Sequence, residues 1–221
     1  MIQRIKNRIK AKIASFLLKF FPTQIATYRL PVEFCPNGPI LIVAPHNDDE
    51  LIGCGALISK YGNICDVLVC TVNDDDKTTD TRQKESLQYC KKYGANLIPN
   101  KLMIDGKPKS LQRQNLKIDL IEYAHIFVPS VFERHPDHVA ITQLILNETR
   151  KYPLELYFYE VWSSLPYFDF FCSHHQNKID DMDIFHSQIA SYPYKELIEN
   201  RSRYRAVGLN STFAEAYLKI K

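Results

Sequence analysis

Several features that would direct this chain towards common protein classes are missing. No stretch approaches the about 18 consecutive apolar residues needed for a bilayer-spanning helix. None of the six cysteines forms a CxxC pair, which leaves no redox or zinc-ribbon motif. Four of them sit in apolar or helical stretches, so they are expected to be reduced, buried thiols in a cytoplasmic protein rather than a disulfide framework. There are only seven glycines, and Gly53 and Gly55 form a GxG with no GxGxxG to follow, so a dinucleotide fingerprint is lacking. We find no internal repeat and no Ser/Gly/Pro-rich linker. The net charge is +3, but six basic residues and no acids fall within residues 1–21, which leaves the rest of the chain at −3. A mildly acidic body argues against nucleic-acid binding.

The first 22 residues differ in character from the rest. Ile2, Ile5, Ile9, Ile13, Phe16 and Phe20 recur every three or four positions, the period of one helix face. Arg4, Lys6, Arg8, Lys10, Lys12 and Lys19 fall mainly on the other faces, and Pro22 ends the pattern. Residues 1–22 therefore read as a basic amphipathic helix. Lys19 interrupts the apolar stretch and no A-x-A site follows, so it fits a secretory signal badly. Such a helix packs on a protein surface, or lies on an anionic membrane through residues 2–21, which would put the chain at the inner membrane face and its substrate on a lipid.

Residues 38–221 read as a single domain. Pro39 to Ala44 and Cys65 to Val72 are β-rich runs separated by a helical stretch, Glu50 to Tyr61, a parallel pair with a right-handed crossover. Thr81 to Tyr93 reads as a helix ending at Gly94, and Leu111 to Tyr123 carries a further helical pattern. His125 to Pro129 is a third strand, residues 138–151 a helix, and Leu154 to Val161 a fourth strand. The alternation predicts an α/β fold, a Rossmann-like open, mostly parallel sheet with helices on both faces. The acidic run Asn73 to Asp80 reads as a surface loop, and His174 and His175 as a surface pair. Ligands of such sheets bind beyond the carboxyl ends of the strands, so the loops after residues 44, 72 and 129 should converge.

Two polar clusters occupy those loops. Pro45-His46-Asn47-Asp48-Asp49-Glu50 puts an imidazole and three carboxylates directly after a buried strand. Groups so close repel and desolvate badly unless a cation compensates, and His with Asp suits zinc. Glu133-Arg134-His135-Pro136-Asp137-His138 follows the third strand. Two ligands from one loop and one from the other would give a three-ligand site with an open position, the pattern of a catalytic metal.

With PHNDDE followed by HPDH, the chain resembles the PIG-L/LmbE-like family of zinc-dependent N-deacetylases. The likeness extends over about residues 38–218, through Arg82 and Glu85 on a helix ending in Tyr93-Gly94, Tyr159-Glu160-Val161-Trp162, Lys178, His186-Ser187-Gln188 and Phe213-Ala214-Glu215-Ala216-Tyr217. It implies a metal, Zn2+ or under reducing conditions Fe2+, bound by His46, Asp49 and His138. Asp48 would be the general base, and His135 the imidazole facing the tetrahedral intermediate, with Asp137 beside it. Asn47 stands where the family commonly has Pro; its amide is a candidate substrate contact, as is the Arg82 guanidinium.

The chemistry of the residues agrees with these roles. An amide is a poor electrophile, and a metal both lowers the pKa of water and polarises the carbonyl. Asp48, next to a ligand, is placed to take the water proton. The expected activity is removal of the N-acetyl group from an N-acetylglucosamine-type conjugate, small-molecule or lipid-linked. The alternatives are another metal-dependent amidase or esterase on the same site, or a non-catalytic membrane- or partner-binding protein.

Overall fold

Alternation of apolar residues with two inward faces explains the central strands. The computed structural model describes residues 30–190 and 192–221; the basic segment 1–22 lies outside them. Strand β2 (Ile40–Ala44) is buried throughout. Its residues Ile40, Ile42 and Ala44 enter one apolar cluster and Leu41 and Val43 another, as a period of two requires when both faces of a sheet are covered. Each fully buried Leu or Ile is worth about 1.5–3 kcal/mol.

The described residues hold one eight-stranded sheet. Besides β2, its strands are β1 (Val32–Glu33), β3 (Cys65–Val72), β4 (Asn96–Ile104), β5 (His125–Pro129), β6 (Glu155–Tyr159), β7 (Phe170–His174) and β8 (Phe213–Lys219). Their order is β1-β7-β8-β6-β5-β2-β3-β4. All neighbours pair in parallel except β8, which runs antiparallel to β6 and β7. This is the predicted α/β architecture. A compact unit spans Pro31–Lys221, and at its edge β1 pairs with β7.

Helix α1 (Asp49–Tyr61) sends Leu51, Ile52, Ala56 and Leu57 into the first cluster, on the face also covered by α2 (Asp76–Tyr93) and α4 (Tyr194–Arg205). Helix α3 (Pro136–Thr149) covers the other face with Ile141, Leu144 and Ile145. α2 begins earlier than predicted, because the Asp75 carboxylate caps it by accepting the Thr78 N–H at 2.7 Å; Gly94 closes it in the left-handed conformation, φ 76°. Part of the acidic run read as a loop is thus a helix start.

Two further expectations are corrected. Leu111 to Tyr123 is not a helix but a run of 3-10 turns, Arg113–Asn115 and Leu120–Glu122, joined by extended chain. Leu116, Ile118 and Leu120 meet the second cluster at a spacing of two, which a helix face cannot present. His174 is not on a surface loop: it ends β7, buried, its ring stacked on Phe213 at 5.3 Å. All six cysteines are free and five are buried; Cys35 is exposed. No described helix is long and apolar enough to cross a membrane.

Candidate metal centre and catalytic cleft

The chain leaves β2 to pair next with β3 on one side, and later returns to place β5 on the other. Beside β2, then, successive connections diverge, and the carboxyl ends of β2 and β5 open a crevice. Both polar clusters stand there. The loop after β2 delivers His46, Asp48 and Asp49 to the start of α1. The loop after β5 delivers His135 as the N-cap of α3, Pro136 as its first residue, and Asp137 and His138 in its first turn.

Three donor atoms converge. His46 Nδ1 lies 3.1 Å from His138 Nε2 and 3.3 Å from Asp49 Oδ2, and His138 Nε2 lies 3.2 Å from Asp49 Oδ2. Ligand atoms held tetrahedrally about 2.0–2.1 Å from zinc are about 3.3–3.4 Å apart. The far ring nitrogens explain which atoms face inward. His46 Nε2 meets Asp137 Oδ2 at 3.2 Å and Asp105 Oδ1 at 3.3 Å, so it carries the proton. His138 Nδ1 faces Glu133 Oε2 at 3.7 Å. Protons held on those outer atoms leave two imidazole lone pairs and a carboxylate pointed at one another, an arrangement that calls for a cation. The donor set therefore fits a divalent metal.

The electrostatics agree. Burial disfavours the charged forms, but the carboxylates Asp105, Asp137 and Asp49 draw His46 well above its ordinary value. Burial likewise opposes charge on His138, yet Asp49 lifts it to about 9. Asp49 is itself held far below the usual carboxylate range: His138 and His46 outweigh its burial. The site attracts positive charge.

Asp48 is the single non-glycine residue with positive φ among those described, at 122°. Such backbone costs about 1–3 kcal/mol and persists where surroundings enforce it. Its N–H is held by Glu50 Oε2 at 2.9 Å, and its C=O accepts from Leu51 and Ile52, so the strained turn starts α1. The carboxyl lies in the cleft wall, and burial, then the charges of Asp49 and Glu50, push it well above the carboxylate range. Glu50 is fully buried and, by the same cause, is raised to about 7.

His135 Nδ1 accepts the Asp137 N–H at 3.3 Å, which leaves Nε2 as the N–H donor of the neutral ring. Its ring stands 4.8 Å from that of His46, and burial with the nearby His46 and His138 holds it below the ordinary histidine value. Arg82 and Asp105, joined at 3.3 Å, form one side of the cleft; Trp162, Tyr192 and Tyr194 form another, with ring centroids 5.6–5.8 Å apart. The cleft encloses about 210 Å³.

Seven of the eight residues selected from sequence thus meet at this crevice, Asp137 with its N–H on His135 and its carboxylate behind His46. Asn47 stands apart. It is buried and its amide donates to Ser86 Oγ at 2.8 Å, tying the loop to α2 instead of facing the cleft. Sequence reasoning missed Asp105, whose loop follows β4, a strand with no clear alternation. It also missed the part played by Glu133, whose carboxylate accepts the N–H groups of Val161, Trp162 and Ser163 at 2.9–3.1 Å. Gln188 lines the cleft beside Tyr192 and Tyr194.

A family model described as PIG-L, GlcNAc-PI de-N-acetylase, matches residues 41–148. Curated proteins give no match. Among solved structures, a conserved protein of Thermus thermophilus is 24% identical, with a TM-score of 0.67 over 82% of this chain and 94% of that one. The N,N'-diacetylchitobiose deacetylase of Pyrococcus horikoshii is 14% identical, with a TM-score of 0.65 over 93% and 92%. The 4-carboxy-2-hydroxymuconate hydratase of Pseudomonas putida is also 14% identical, with a TM-score of 0.58 over 83% and 96%. At these identities the structural likenesses establish the fold, and one fold hosts different reactions. The matched residues 41–148 contain both PHNDDE and HPDH, and over that segment the chain is similar to the PIG-L family.

Proposed function

We propose that this chain is a zinc-dependent hydrolase that removes the acetyl group from an N-acetylglucosamine-type conjugate. What supports this is the meeting of His46 Nδ1, Asp49 Oδ2 and His138 Nε2 within 3.1–3.3 Å at the head of a cleft that also receives Asp48. His46, Asp49 and His138 would hold the metal. When bound, it supplies Lewis acidity, lowering the pKa of water to about 7 and polarising the acyl carbonyl.

The remaining chemistry belongs to side chains. Asp48 accepts a proton from the attacking water and passes it to the departing sugar amine, so that amide and water become acetate and amine. Its burial beside Asp49 and Glu50 raises its affinity for a proton, which favours uptake of the one that the water gives up. His135 offers its Nε2–H to the carbonyl oxygen as negative charge gathers there. Asp137 fixes the tautomer of His46. Arg82 and Asp105 present donors and acceptors for sugar hydroxyls, and the aromatic side meets the apolar face of the sugar ring. The lipid-linked form of the substrate, and contact with a membrane, rest on the basic segment 1–22 alone.

The hydratase of the same fold supplies a second reading, addition of water to a C=C bond by the same site. Acetate release separates the two. The zinc-loaded protein is expected to release acetate from N-acetylglucosamine conjugates, and Asp48→Asn to lower kcat by about 100- to 10,000-fold while keeping its metal. No acetate from any such conjugate would reject the deacetylase; equal release by D48N would remove Asp48 as base.

A further inference from the structure

Helix α1 carries Asp48 and Asp49 at its start, and it is broken one turn later. Cys54 has φ −133° and ψ 19°, outside the helical region. In an unbroken helix the Ala56 N–H would donate to the Ile52 C=O, the residue four earlier. Here each of those groups has a charged partner from a distant part of the chain. Glu215 Oε1, on β8, accepts the Ala56 N–H at 2.8 Å, and Lys178 Nζ donates to the Ile52 C=O at 2.9 Å. Lys178 and Glu215 are bonded to each other and almost fully buried, at 2% and 5% exposure. Together they form a chain, N–H to carboxylate to ammonium to carbonyl, across the place of one helix hydrogen bond.

The break has a packing reason. A Cβ on Gly53 would lie 2.1 Å from the Tyr159 ring, and one on Gly55 would lie 3.0 Å from Lys178 Cε. The two glycines let the first turn of α1 press onto β6, where the Tyr159 hydroxyl donates to the Val43 C=O at 2.8 Å, near the end of β2. Straightening α1 would re-aim its first turn.

We propose that the Lys178–Glu215 ion pair is a splint inserted into helix α1, and that its task is to set the angle at which Asp48 and Asp49 enter the metal centre. Both are positioning residues: neither lines the cleft. The inference rests on the reading of Asp49 as a metal ligand, and the test separates the two.

The decisive protein is the double variant K178M/E215L. Removing both members of a buried pair leaves no uncompensated charge and is often neutral for stability, whereas K178M alone strands Glu215 and should be strongly destabilising. The double variant should therefore melt near the wild-type Tm. With the splint gone, its zinc affinity, read by competition with a chelating dye, should fall about 10- to 100-fold. Its kcat should fall with KM little changed. K178M/E215Q, which keeps an oxygen for the Ala56 N–H and leaves no buried charge, should restore both. Wild-type zinc affinity and kcat in the double variant would overturn the proposal. Should the double variant not fold, nitrogen-labelled alanine decides: the Ala56 amide resonance must move in E215Q, and an unmoved one overturns the proposal. D49N is measured alongside. If D49N binds zinc like wild type, the ligand reading itself fails; if D49N loses zinc while the double variant keeps it, only the splint falls.

Discussion

A histidine with no apparent place in catalysis shows what burial does to a single residue. His174 gives Nδ1 to the His175 C=O at 2.8 Å, while its buried Nε2 has no partner. Burial, reinforced by the nearby Lys178 charge, lowers its pKa to about 3. The folded state therefore keeps the ring neutral, while the unfolded chain protonates near 6.5. As pH falls from about 6.5 towards about 3 the unfolded state takes up the extra proton, so stability drops through that window. His174→Phe, which preserves the stack on Phe213, should flatten the fall; Tm against pH for both proteins measures it, and parallel curves would refute the assignment. The same scale shows what sequence could reveal. His46, Asp48, Asp49 and His138 were legible because charged residues packed at a strand end need a physical reason. Asp105 was not, because a lone aspartate in a loop has no local signature; its meaning is a distance of 3.3 Å to His46.

At the scale of elements, strands β2, β3, β5 and β6 were legible from apolar runs bounded by polar loops, while β7 and β8 left no comparable signal. Residues 111–123 misled because apolar side chains clustered in a short span resemble a helix stripe until their spacing is set against the core they meet. The loop after β6 is another case. Its N–H groups at Val161, Trp162 and Ser163 all point at the Glu133 carboxylate, from the loop after β5. That carboxylate joins two loops of the cleft and also faces His138. Glu133→Ala should free the loop, at about 1–3 kcal/mol for the unpaired buried N–H groups. Trp162, the chain's one tryptophan, reports on it: its emission should shift to the red and respond less to added substrate. An unchanged spectrum would mean that the loop holds its shape without Glu133.

For the whole molecule, the alternation of strands and helices carried the sheet, and the sheet carried the site, since a parallel order diverging beside β2 dictates where a crevice opens. The set implied by the resemblance, His46 Nδ1 with Asp49 and His138, has rivals in that crevice which the sequence did not suggest, because they share His46. One is His46 with His135 and His138; the second is His46 Nε2 with Asp105 and Asp137. The second already has protein donors: Gly106 N–H binds Asp137 at 2.7 Å and Arg82 binds Asp105. The direct measurement is anomalous scattering at the zinc edge from zinc-loaded crystals. The peak should fall within about 2.0–2.2 Å of His46 Nδ1, Asp49 and His138 Nε2; a peak between His46 Nε2, Asp105 and Asp137 would contradict the account.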